Sequence, residues 1–134
     1  MTTEEEFIPT IAVGRFSGDL KGMAPGKANS MFSDLLSRIS VECGRLGVIG
    51  HNKANFKCGD DLLSVSCTTD DGNVRSKVEF ASPVGEYTGV MNVIVYGAGF
   101  EALEDAIYRC AEAVPGMKTE VIRDFRGNKF PADA

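Results

Sequence analysis

A chain of 134 residues is about one domain of sequence, long enough to bury a core of its own. Its 43% hydrophobic and 25% charged residues are the proportions of a soluble globular protein. A net charge of −5 and a pI near 4.9 argue against nonspecific nucleic-acid or membrane binding as the main role, and no apolar run approaches the ~20 residues of a membrane-spanning helix.

The N-terminus, Met1-Thr2-Thr3-Glu4-Glu5-Glu6, is acidic where a signal or transit peptide would begin basic, so a cytoplasmic protein is expected. Residues 1–6 are expected to form a disordered acidic tail, 7–125 a single domain, and 126–134 a second tail. The apolar run from Phe7 to Val13 contains Pro9, which cannot donate to a strand ladder; if extended, the run is expected at a sheet edge. Gly14 to Lys27, with glycines at 14, 18, 22 and 26, is expected to be a loop that sets Arg15, Lys21 and Lys27 against Asp19. Gly22-Met23-Ala24-Pro25-Gly26-Lys27-Ala28 falls short of a phosphate-cradling P-loop. It has three residues between the glycines instead of four, and Ala28 stands where Ser or Thr would hold Mg²⁺. A basic, glycine-rich loop ahead of a helix N-terminus can still receive an anion.

Asn29 or Ser30 is expected to cap a first helix that runs to about Cys43 and stops at Gly44. Phe32, Leu35, Leu36, Ile39 and Cys43 form its apolar stripe. Leu46 to Gly97 then has the pattern of four antiparallel strands in sequence. Cys58-Gly59-Asp60-Asp61 and Asp70-Asp71-Gly72-Asn73 mark tight hairpins. With two-residue loops, Phe56, Leu63 and Phe80 align, as do Ala54, Val65 and Val78, then Asn52, Cys67 and Ser76, all on one face. The opposite face collects His51, Lys53, Asn55, Ser64, Ser66, Thr68, Arg75, Lys77 and Glu79 and is polar and mildly basic. The last strand, Thr88 to Gly97, breaks the alternation. Val90, Ile94 and Tyr96 lie on one side and Met91, Val93 and Val95 on the other, so both its faces should be covered. The run from Phe7 to Val13 or a second subunit is the expected cover. Within the connection from Ala81 to Tyr87, Tyr87 is expected to pack over a core edge.

Tyr96-Gly97-Ala98-Gly99-Phe100-Glu101-Ala102 matches G-x-G-x-x-A between a strand and a helix, with an acid, Asp124, some twenty residues on. The hairpin-linked strands upstream, the short chain, and the negative charge of Glu101, Glu104 and Asp105 in the first turns of the helix all oppose a dinucleotide site. Phe100, Leu103, Ile107, Cys110 and Val114 make the stripe of this second helix, from about Gly99 to Val114, ended by Pro115-Gly116. Thr119 to Phe125 is a candidate fifth strand.

Cys43, Cys58, Cys67 and Cys110 lack C-x-x-C spacing. Cys67 opposite Asn52 stands six residues, about 20 Å, along the strand from Cys58, too far for a disulfide or a shared metal. Reduced thiols packed as small hydrophobes are expected. The single histidine, His51, has no nucleophile in a partner motif, and Asn52 is a polar side chain on the apolar face that must find hydrogen-bond partners.

The fold class that follows is α+β: a four- to five-stranded antiparallel sheet, a meander, with two helices packed on one face. Two functional readings remain. The first is a non-catalytic, self-associating domain that pairs across the outer face, or along the edge, of the strand bearing Val90, Ile94 and Tyr96. The second is a small enzyme or metabolite-binding protein that receives an anion at Arg15, Lys21, Lys27, His51, Asn52 and Lys53. No catalytic residues, metal site or cofactor are called for by any motif. A nucleic-acid role for Lys53, Lys57, Arg75 and Lys77 lacks interleaved aromatics.

Overall fold

Residues 8–124 are described by a computed structural model, and the expected tails, with the end residues 7 and 125, lie outside the described residues. Six strands and two helices follow in the order β1 (Thr10–Met23), α1 (Pro25–Leu46), β2 (Val48–Cys58), β3 (Asp61–Cys67), β4 (Arg75–Val78), β5 (Val84–Tyr96), α2 (Phe100–Ala111) and β6 (Lys118–Asp124). They build one open antiparallel sheet, ordered β4-β3-β2-β5-β1-β6. Both helices lie on the same side of it, α1 over β2 and β3, α2 over β1 and β6, and they touch each other. The architecture is therefore α+β, with six strands among the described residues.

The β2–β3 hairpin has the anticipated register. Gly59 takes a φ of +61° in a two-residue turn closed by Cys58 and Asp61, and Phe56 faces Leu63, Ala54 faces Val65, and Asn52 faces Cys67. The next hairpin departs from expectation. Its loop runs over residues 68–74, because Gly72 is drawn onto α1, where the Ser37 hydroxyl donates to the Gly72 carbonyl at 2.7 Å. A bulge between Ser64 and Val65 then sets Ser64 against Val78 and Val65 against Ser76. Val78 consequently faces solvent at 43% exposure, while Val65 and Phe80 stay in the core. Phe80 is held from α1. Asn29 Nδ2 donates to the Phe80 carbonyl at 3.1 Å, and Asn29 Oδ1 accepts from the Phe80 N–H at 2.9 Å. Asn29 therefore sits inside α1, which begins earlier, at Pro25 behind Ala24, because proline's fixed φ suits the first helical position.

The largest departure is β1. The segments expected as an edge strand and a glycine loop form one continuous 14-residue strand between β5 and β6. Pro9 precedes its first paired residue, Thr10, and so removes no ladder bond. Ala12, Gly14, Phe16, Gly18 and Leu20 alternate onto the helix-covered face. Two of its glycines, Gly14 and Gly18, are seats for rings. A Cβ on Gly14 would stand 2.9 Å from the Phe16 ring, and one on Gly18 2.6 Å from the Tyr87 hydroxyl. Gly89 of β5 follows the same rule, with Phe56 Cδ1 at 2.4 Å. Above it the Phe56 ring stacks on Phe32 at 4.0 Å, and Tyr87 meets Phe32 edge-on at 5.0 Å. Each such ring, fully withdrawn from water, stabilises the fold by about 2–3 kcal/mol.

The position of β5 is the second departure. It leaves the meander after β4 and returns on the far side of β2, between β2 and β1. Hydrogen-bonded on both edges, it is the middle of the sheet.

Candidate functional site

The chemistry-bearing residues fall on the side of the sheet opposite the helices, where no described element lies. Register places them in rows across four strands. At one end stand His51, Ile94, Ile11 and Asp124; next come Lys53, Asn92, Val13 and Ile122; then Asn55, Val90, Arg15 and Glu120; and last Lys57, Thr88, Ser17 and Lys118. The first two rows, with Tyr96 beyond them, are largely apolar in their centre. Val90 (43% exposed) and Ile122 (38%) are open to solvent. Tyr96 rests beside Gly50, whose missing Cβ would lie 3.0 Å from its Cε2. The fourth row is polar.

Between these ends a groove of about 350 Å³ opens over β1, β5 and β6, lined by Arg15, Ser17, Thr88, Val90, Lys118 and Glu120, with the backbone turns of Phe16, Gly89 and Thr119 as its floor. Arg15, Lys57 and Lys118 make no ion pair with any described residue. The helices carry ion pairs: Glu42 with Arg45 at 3.1 Å and with Arg109 at 3.5 Å, and Asp105 with Arg109 at 2.7 Å.

The six residues expected around an anion do not converge. Arg15 and Lys53 project from the outer face of β1 and β2, and His51 stands exposed opposite Ile94. Lys21 adopts a φ of +54° at the other end of β1, its N–H donating to Asp19 Oδ1 at 2.8 Å, and Lys27 lies exposed in the first turn of α1. Ile11, the row partner of His51, is ten residues from Lys21, roughly 30 Å of extended strand. Asn52 points the other way, into the core, fully buried. Its Nδ2 donates to Ser40 Oγ at 3.0 Å, and its Oδ1 accepts the Ile94 N–H at 3.1 Å. That N–H sits beside the bulge between Ile49 and His51, so the Asn52 side chain stands in for a missing backbone acceptor and ties β5 to α1.

Val90, Ile94 and Tyr96 share the outer face of β5 as expected, but that strand has no free edge to offer. Ser17, Thr88, Lys118 and Glu120 were not foreseen as a group. The alternation from Thr10 to Leu20 was the signal that could have placed Arg15 and Ser17, and the glycines at 14 and 18 concealed it.

All four thiols are unbridged, with Cys43, Cys67 and Cys110 buried. Burial, with Cys110 and Glu42 nearby, pushes the Cys43 thiol up to about 12, and burial alone pushes the Tyr87 phenol up to about 12. No group of three or more His, Cys, Asp or Glu side chains is placed to hold a metal among the described residues. No helix of the described residues is long and apolar enough to cross a membrane. Gly97, with a φ of +85°, makes the strand-to-helix turn, and α2 opens on Phe100 with no side-chain cap.

The described residues thus form an open α+β sheet, roofed on one side by both helices and covered on the other by no described element. Comparison with protein-family models, curated proteins and solved structures gives no match in any of the three.

Proposed function

We propose that the protein is a non-catalytic assembly domain that pairs with a second copy of itself through the outer face of its sheet. The observation that carries this reading is the apolar cluster on a face over which no described element lies: Val90 and Ile122 exposed, Ile94 and Tyr96 half-buried, and Ile11 and Val13 buried between them. The edges of the sheet are poor alternatives. β4 is four residues long, bulged and carries Arg75 and Lys77, which blunts it. At the centre of β6 the Val121 N–H already donates to the Tyr108 hydroxyl of α2 at 3.2 Å.

The face has the size a pair needs. Six strands ~4.8 Å apart and about seven residues long give roughly 600 Å² per copy. Two copies then close roughly 1,200 Å², the lower end of stable interfaces. Charge fits as well, since the β2–β4 side carries Lys53, Lys57 and Arg75 and the β6 side Glu120 and Asp124 against a single Lys118. A two-fold axis along β5 lays one side over the other.

Size-exclusion chromatography with light scattering tests it. A dimer is expected, reduced to monomer by Ile94→Lys and untouched by Asp34→Lys on the solvent side of α1. A strict monomer at high concentration overturns the reading.

A further inference from the structure

We propose that the groove over β1, β5 and β6 is a binding site for a small monocarboxylate with an apolar body. The inference goes beyond self-association: it rests on Arg15, Ser17, Thr88 and Lys118, while Val90 and Glu120 belong also to the face proposed to pair.

The head-group end is built from Arg15, Thr88, Ser17 and Lys118, with Lys57 continuing their row beyond the groove. A guanidinium offers a planar fork that two carboxylate oxygens satisfy together. The two hydroxyls, on neighbouring strands, lie between the two lysines and can each donate one further hydrogen bond. None of the three cations is committed to a described carboxylate, although Glu120 is the cross-strand partner of Arg15. On the ion-pairing helices, in contrast, arginine side chains close onto Glu42 and Asp105.

Charge then selects the valence of the ligand. Glu120 lines the groove, and Asp19 and Glu86 face each other one row below Ser17 and Thr88. Counting those three acids against Arg15, Lys57 and Lys118, the surroundings are neutral overall. A single negative charge is accommodated at the guanidinium, whereas a polyphosphate would set its further charges against the acids. The exposed Val90 side chain and the aliphatic stems of Arg15 and Lys118 wall the rest of the groove. At about 350 Å³ the space lies at the small end of ligand sites.

The test is a titration of hexanoate into the ¹⁵N-labelled full chain, with inorganic phosphate and ATP as parallel arms. Saturable shifts are expected at the Ser17, Gly89 and Thr119 amides with hexanoate and not with ATP or phosphate. Arg15→Gln should weaken hexanoate roughly 10- to 100-fold, the equivalent of one charge-assisted hydrogen-bonded contact. Glu120→Gln should tighten it roughly two- to fivefold. Lys118→Gln supplies a second weakening variant if Arg15→Gln alters the free spectrum. No saturable shift, an unchanged affinity in both weakening variants, or binding of ATP or phosphate as tight as that of hexanoate overturns the proposal. Because pairing would cover the groove, the titration is repeated on the Ile94→Lys chain with light scattering on the same samples: absence of binding there overturns the site, and the mass of the unsubstituted chain alone decides self-association.

Discussion

The two faces of one sheet obey opposite rules. On the roofed face every side chain is specified by its neighbours. Phe56 is held between the Gly89 backbone and the Phe32 ring, and Asn52 has a named partner at each end of its amide. On the outer face the strand backbones are the same, but the aromatic stack gives way to aliphatic residues, hydroxyls and the cations Arg15, Lys57 and Lys118, which make no ion pair with a described residue. Close packing makes the first face intolerant of change. On the second, Val90, Arg15 and Lys57 are exposed and tolerate change, while Ile11 and Val13 are buried between their neighbours.

The comparison is broken most severely by Gly89→Ala. Its methyl would stand 2.4 Å from Phe56 Cδ1, and that ring cannot retreat from Phe32, at 4.0 Å. A loss of about 3 kcal/mol is expected by chemical denaturation. Val90→Ala, one residue along and on the other face, should cost under about 0.5 kcal/mol in the isolated monomer. Equal losses at the two sites would erase the distinction between the faces.

Asn52→Ala comes next. It removes the acceptor of the Ile94 N–H and the partner of the Ser40 hydroxyl, both inside the core, and is expected to cost about 2–3 kcal/mol. The same substitution should leave hexanoate affinity unchanged in the folded fraction, since Asn52 belongs to the opposite face. A change in affinity would mean that the faces are coupled.

The smallest effects are those of pH. Cys43 and Tyr87 are both held up to about 12 in the folded chain, against ordinary values of 9.0 and 10.0. A group that ionises more readily when unfolded favours unfolding once the pH passes its unfolded pKa. Stability should therefore be full below about pH 9 and fall as the pH rises toward 12. Denaturation midpoints at pH 7, 9 and 10.5 check the sign. Tyr87→Phe removes part of that slope. At pH 7 it should raise stability by about 1 kcal/mol, because the Tyr87 hydroxyl is buried without a hydrogen-bond partner among the described residues. A loss on Tyr87→Phe would mean that the hydroxyl is satisfied.

Much of the roofed face was legible in the chain. Gly59-Asp60 set the β2–β3 register, and the stripes of Phe32, Leu35, Leu36 and Ile39 and of Leu103, Ile107 and Cys110 marked the two helices. What misled was glycine. At positions 14 and 18 it resembled loop punctuation, and only the rings of Phe16 and Tyr87 explain it as a strand residue. Val78 was misplaced for a related reason. Its register hung on a turn that α1 pulls open through Ser37, a contact 35 residues away in sequence.

Of the candidate site, Val90, Ile94 and Tyr96 could be grouped in advance because they alternate along one strand. The groove could not, because Arg15, Ser17, Thr88 and Lys118 belong to three strands whose adjacency is a matter of topology.

The sequence alone determined which side chains of the two helices and of the β2–β3 hairpin turn toward a core, since period and turn chemistry are local properties of the backbone. The lateral order of the strands was decided by tertiary structure. β5 enters between β1 and β2 because pairing both its edges and roofing its inner face satisfies far more of the molecule than a continued meander would. The bare face, and everything it could bind, is a consequence of that order.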